Sequence, residues 1–290
     1  MLLAVPNVSE GRDQGIVAAI GGAFEAAGAR LLDLHVDPDH NRSVYTLAGA
    51  PGSLAAALVA GAAEALRRID MRRHEGVHPC VGALDVAPVV YLDETQRGAA
   101  CAEALVAADA IGSQLGVPVL LYGLLAGDRS RAELRRGGIA ELAARIERGE
   151  PTPDFGPARA HPSGGVALVA ARPPLVAFNL DLAAPATLGD ARAIAAAVRE
   201  SGAEGLPGVR AIGLELAHRS IAQVSFNVER PAETPLAQLV EAVRRHRPVA
   251  AAELVGLAPR AAFEGFPEDV PVAGFDPARH LIENALDALD

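Results

Sequence analysis

Lysine is absent from this sequence, so all 26 of its basic residues are arginine. That absence excludes chemistry that runs through a lysine Schiff base, pyridoxal phosphate enzymes and lysine-dependent aldolases included. Cysteine is nearly absent too: Cys80 and Cys101 are too few for a disulfide framework, and neither falls in a CxxC or Cys/His zinc spacing. Aromatic residues make up only 3% and the net charge is -10, which argues against a nucleic-acid platform built from basic patches and stacking rings. Long apolar runs are missing, since Gly, Arg, Glu or Asp interrupts each one well before the ~18 residues that a membrane span needs. The start, MLLAVPNVSE, lacks the basic and apolar regions of a signal peptide, so the expectation is a cytoplasmic protein that binds neither membrane nor nucleic acid.

Half of the 290 residues are apolar, enough for one large core or two ordinary ones. The pattern predicts strands over 2–5, 30–36 and 42–47, a helix from Asp13 to about Ala27, and the short turn DPDHN between the second and third strands. Ser53 is placed to cap a helix over LAAALVAGAAEALRRID, which leaves His74 near that helix's end, and GALDVAPVVYL reads as a buried strand. The order is βαββαβ. A long helix from Asp93 with Gln96 in capping-box position, the strand VPVLLY and one helix over 129–148 extend it. The Pro- and Gly-rich stretch 149–165 reads as a connection between subdomains. A second βαββαβ order then spans 174–257, and a carboxy-terminal helix is expected from Pro277. The fold class is therefore α/β (α+β): two ferredoxin-like sandwiches, 1–173 and 174–290, each with its helices on one face of its sheet.

Polar residues of such units collect where strands run into loops along one rim. Here the loops are PNVSEG (6–11), HVDPDHNR (35–42) and HEGVHPCVGALD (74–85), with Tyr122 at the end of VPVLLYG. The segments VPNVSEGR, LLDLHVDPDHNRSVYTLAG, IDMRRHEGVHPCVGALDVAP, VPVLLYG, DFGP, AFNLDL, VRAIGLEL, AQVSFN and ELVGLAP resemble, in order, the blocks of the glutamate formiminotransferase family. The resemblance implies a homodimeric, stand-alone transferase without a cyclodeaminase domain, whose amino-terminal half is catalytic and whose two halves hold a folate between them. Its substrates would be N-formiminoglutamate and tetrahydrofolate, the latter as co-substrate, with no metal.

Moving a formimino group to N5 of the folate needs one proton removed and another delivered, which suits a side chain titrating near ~6.5. His78 matches the family's catalytic histidine; His74 does not. Asp85 admits two readings, a partner for an imidazole or amidinium, or a strand-start residue bonded to backbone amides. Asn7 either orients the pterin or formimino group or makes an Asx-turn. Gly82 either allows a ligand close to the backbone or serves a turn. Asn41 and Arg42 are candidate carboxylate anchors, Tyr122 a folate contact or a core residue, and Ser163, Gly164 and Gly165, beside His161, a loop near the ligand.

Three departures from the family pattern stand out: His35 replaces an Asp, Val77 a Glu and Cys80-Val81 an Arg-Met. Two other functions remain open, a folate-binding protein of the same fold that has lost transfer, and a metal-dependent amidohydrolase using His35, His78 and nearby Asp33, Asp37 or Asp85. The second lacks HxH or HExxH spacing.

Overall fold

Buried apolar residues open the chain as β1 (Leu2–Ala4), and the Val5-Pro6 step separates it from β2 (Asn7–Val8). In the computed structural model, which describes residues 1–77, 79–127, 129–216 and 219–289, these two short strands sit in the middle of a seven-stranded sheet. Asp13 caps α1 (Gln14–Ala26) by accepting from the amides of Gly15 and Ile16 at 2.8 and 3.0 Å, and Gly28, at φ 98°, lets the chain turn away after it. Next come β3 (Arg30–Asp37), β4 (Arg42–Gly49), α2 (Leu54–Arg68), β5 (Leu84–Val90), α3 (Arg97–Leu115), β6 (Val119–Leu121), α4 (Arg131–Arg135), α5 (Gly138–Glu147) and β7 (Ala167–Arg172). The sheet runs β3, β4, β1 with β2, β5, β7, β6, antiparallel as far as β5 and parallel beyond it.

Period-two alternation decides what each face packs against. Ala167, Val169 and Ala171 of β7 join the core that holds Phe24, Leu58 and Ile111 from α1, α2 and α3, while Leu168 and Ala170 join Leu134, Leu142 and Ile146 from α4 and α5. Helices therefore cover both faces in this part, unlike the expected single face. The strand β7 was not anticipated either: it belongs to this sheet, so 149–165 is an internal loop, and the chain divides into two compact units at 173/174.

Other local expectations are corrected by tertiary partners. Ser53 occupies the N-cap of α2 but its hydroxyl donates to the Ala50 carbonyl; the buried Glu103 carboxylate of α3 instead accepts from the amides of Gly52 and Ala55. A buried carboxylate at a helix N-terminus gains from the aligned peptide dipoles as well as from the hydrogen bonds. Gln96 meets the Leu92 amide at 3.4 Å rather than closing a box with Asp93, which caps a short 3₁₀ turn before α3. The helix expected over 129–148 breaks into α4 and α5 because Gly137 and Gly138 adopt φ of 79° and 74°. α2 ends at Arg68, so His74 follows a separate 3₁₀ turn.

The second unit comprises β8 (Val176–Leu182), α6 (Leu188–Val198), β9 (Val209–Leu216), β10 (Ile221–Val228), α7 (Leu236–Arg244), β11 (Val249–Val255), β12 (Val272–Ala273), α8 (Pro277–His280) and α9 (Ile282–Asp287). Its sheet order, β12, β11, β8, β10, β9, contains the ferredoxin-like arrangement, and alternate residues Val176, Phe178, Leu180 and Leu182 enter its core. The expected terminal helix is split at Leu281, whose extended backbone allows the Ile282 amide to bond to Ala258. Among the described residues no helix is long and apolar enough to cross a membrane.

The hairpin between β3 and β4 is closed by the buried Asp37, whose carboxylate accepts from the His40 amide at 2.9 Å and lies 3.0 Å from His40 Nδ1. Burial by itself would raise the Asp37 pKa, but the hydrogen bonds and charge of His40 outweigh it and hold the carboxyl down at about 2. A depressed folded-state pKa adds stability above the unfolded value and loses it as pH falls toward the folded one. Asp37→Asn should therefore cost about 1–2 kcal/mol at pH 7 after allowance for solvent screening. In chemical unfolding followed between pH 4 and about 2, the gap between variant and parent should close.

Candidate active site

On β2, β3 and β4 the face of the first sheet turned away from α1 and α2 carries polar side chains, whereas its β5–β7 part is covered by the apolar cluster with α4 and α5. Pairing registers put His35, Val44, Asn7 and Val86 in one row across β3, β4, β2 and β5, with Asp37 opposite Arg42 and Asp33 opposite Thr46 in neighbouring rows. Directly paired residues share a face, so His35 stands two strands from Asn7, roughly 10 Å away. Asn7 is 4% exposed; its Nδ2 donates to the Val5 carbonyl, while Oδ1 has no partner among the described residues.

Arg42, Cys80, Asp85, Arg131 and Arg135 converge at one end of this face. Asp85 is 2% exposed, and its side chain divides between two structural tasks. One oxygen accepts from the Val81 amide at 2.8 Å, and the other is ion-paired with Arg135 Nη2. Backbone bonding, the plainer of the two readings of Asp85, is thus present, joined by an arginine that sequence reasoning missed. Arg135 stands fifty residues away in an arginine-rich segment, where no spacing marks it out. Burial, then the neighbouring Arg135, pulls the Arg42 pKa from its ordinary value to about 9, with Asp85 opposing. Burial, then the charge of Asp85, pushes the Cys80 thiol up to about 11, so it is a neutral thiol near pH 7 rather than a nucleophile.

His78 lies outside the described residues; the segments on either side of it are anchored. Asn41, at φ 47°, accepts from the Gly11 amide at 3.0 Å through Oδ1 and donates to the Glu75 carbonyl at 2.9 Å through Nδ2. It therefore knits loops 9–13 and 74–77 to the β3–β4 turn. The Val77 amide reaches the Asp39 carbonyl, and a Cβ on Gly76 would strike the His40 carbonyl. Beyond 78, the Ser9 hydroxyl donates to the Gly82 carbonyl at 2.7 Å. His74 contacts Asn41 Nδ2 at 3.4 Å, and burial lowers its pKa, so it is neutral at pH 7.

The 161–165 loop packs onto the same structure. His161 Nδ1 accepts from the amides of Ser163 and Gly164 at 3.3 and 2.9 Å, and burial depresses its pKa. The Ser163 carbonyl accepts from the Met71 amide at 2.8 Å, and the Gly164 carbonyl from Ala83 at 2.9 Å. Gly82 and Gly165 form an isolated bridge. Close approach at Gly82 is thus made to protein backbone. Tyr122 packs among Val81, Val86 and Val166, yet its buried hydroxyl has no partner among the described residues. So Asn7, Asn41, Arg42, Gly82, Asp85 and 163–165 are brought together, whereas His35 sits near the sheet edge and Tyr122 in a packed cluster.

A Cβ at Gly82 would run into the Val166 carbonyl, and one at Gly165 into that of Val81. Gly82→Ala should lower unfolding stability by about 1–3 kcal/mol, measurable by denaturant titration, because backbone rather than a flexible side chain must move.

Comparison with known proteins places these features. The model of the formiminotransferase domain, N-terminal subdomain, matches residues 1–172, and that of the formiminotransferase domain matches 177–265. Glutamate formimidoyltransferase of Streptococcus pyogenes serotype M1 is 35% identical over 292 residues, covering 97% of each chain. That of Thermoplasma acidophilum is 33% identical over 270 residues, covering 89% of this chain and 88% of the relative. Formimidoyltransferase-cyclodeaminase of Rattus norvegicus is 38% identical over 273 residues, which cover 88% of this chain and 49% of the relative. The chain spans about half the length of this and similar curated relatives. With one family model on each of its two units, the chain belongs to the formiminotransferase family.

Proposed function

We propose that this chain transfers the formimino group of N-formiminoglutamate to N5 of tetrahydrofolate, with the amino-terminal unit, 1–173, carrying the chemistry. The observation that carries the reading is the match to the Streptococcus pyogenes glutamate formimidoyltransferase over 97% of both chains. Tetrahydrofolate is the co-substrate and no metal takes part; the protein acts in the cytoplasm as a homodimer.

In this reading the N5 lone pair attacks the amidine carbon, an N5–C bond forms and the bond from that carbon to the glutamate nitrogen breaks. The N5 proton leaves and a proton reaches the departing nitrogen. His78 acts as general base and then general acid, a sequence that needs one group able to hold and release a proton near neutrality. The other local candidates are less suited. Burial lowers the His74 pKa, which makes its protonated form a minor one for delivering a proton to the leaving nitrogen, and the Cys80 thiol is raised to about 11; both support assigning the proton transfer to His78. Asn7 Oδ1, buried without a described partner, accepts from an N–H of the formimino group or pterin. Asp85 supports the site indirectly, holding the loop before β5 and Arg135 in place through its two carboxylate oxygens. Arg42, Asn41, His35, Tyr122 and the 163–165 loop with Gly82 shape the folate-binding surface.

Turnover with tetrahydrofolate and N-formiminoglutamate, compared with formiminoglycine as donor, tests the proposal. Folate binding without turnover of either donor would favour a binding protein of the same fold. Within the transferase reading, His78→Asn should lower kcat by at least ~10²-fold while folate affinity changes little, because the group acts mainly in the transition state. His74→Asn should have a mild effect. Near-parental kcat in the folded His78 variant would end the assignment.

A further inference from the structure

Arg135 is not explained by the chemistry above. Its side chain is only 9% exposed, one amino group is committed to Asp85, and its Nε has no hydrogen-bond partner among the described residues. A guanidinium carries five donor hydrogens in a fixed plane, and burying a charged donor unsatisfied is costly unless a partner arrives. Asp85 offers little more, because its second oxygen is held by the Val81 amide at 2.8 Å. The surroundings also carry positive charge: after burial, Arg42 feels Arg135 first, then the opposing carboxylate of Asp85, then Arg131. Arg42 and Asp85 lie on strands that flank β2, which pairs with both β4 and β5.

We propose that Arg135, set in place by Asp85 beside Arg42, binds a substrate carboxylate through its Nε edge. This rests on the transferase reading, in which the donor carries two carboxylates and the folate ends in a glutamyl tail. The ligand class is an aliphatic carboxylate, and a planar guanidinium already braced on one side suits it, because little side-chain freedom remains to be lost on binding. Arg135 is a positioning residue: it fixes the acidic end of a substrate and takes no proton. Asp85 thereby does two things at once, orienting the arginine and leaving the local charge positive.

Calorimetry on the full chain, with glutarate as a dicarboxylate that has no group to transfer, tests the site independently of turnover. Glutarate should bind the parent, and Arg135→Met should weaken glutarate and one of the two natural carboxylates, the donor's or the folate tail's, by at least ~10-fold, with Arg135→Lys intermediate because it keeps charge without the planar fork. If tetrahydrofolate affinity is unchanged in these variants, the carboxylate is the donor's; if triglutamyl folate is weakened and the donor is not, it is the folate tail's. Either result supports the carboxylate site. Asp85→Asn/Arg135→Met removes both charges and guards against loss of fold from a carboxylate left unpaired. In the parent, adding glutarate should also shift an arginine Nε–H resonance that is missing in Arg135→Lys. Equal binding of glutarate, donor and triglutamyl folate by folded parent and variants, or no shift at millimolar glutarate, would overturn the proposal. Glutarate bound through Arg135 by a chain that turns over neither formimino donor would sink the transferase reading alone.

Discussion

A single buried carboxylate, that of Asp85, ties together the parts of the first unit that matter for function. Through Val81 it closes the loop that precedes β5, and through Arg135 it draws α4 toward the polar face of the sheet. A buried ion pair is weak evidence of stability in itself, because desolvation offsets much of the attraction, but losing one partner leaves an uncompensated charge. The arrangement is therefore specific. Either residue without the other is costly, and the loop, the helix and the strand keep their positions relative to one another.

Around that pair, elements distant in sequence are joined mainly through backbone. Asn41, its backbone left-handed, links three loops with one side chain, and Gly82 and Gly165 bring two chain segments closer than any side chain would allow. Both devices are stiff. They anchor residues 74–77 and 81–82 against the turn and the sheet. Preorganisation of this kind reduces what must be ordered when a substrate arrives.

The departures from the family pattern can be read in the same terms. Val77, where the resemblance led to the expectation of a carboxylate, is 44% exposed, an apolar residue with solvent around it. Cys80, where the resemblance led to the expectation of an arginine, is a half-buried neutral thiol with Ser9, Asp85 and two arginines as neighbours. Arg42 and Arg135 both act on Cys80, so the positive character of this end of the sheet does not depend on an arginine at position 80.

Local sequence determined the repeated βαββαβ order, because alternation, capping by Asp13 and the turn at 37–42 act over a few residues. It also exposed the family through ordered blocks, and with it the segments that line the candidate site. It did not reveal β7, an apolar run that becomes recognisable as a strand only once β5 and β6 lie on either side of it. Nor did it distinguish Ser53 from Glu103 as the residue that satisfies the start of α2, since the better acceptor comes from another helix. Arg135 was equally hidden: an arginine among many becomes distinctive when folding buries it against a carboxylate fifty positions away. Short-range hydrogen bonding and periodicity are written in neighbouring residues, whereas burial and charge pairing are properties of neighbours in space, and only the tertiary structure decides who those neighbours are.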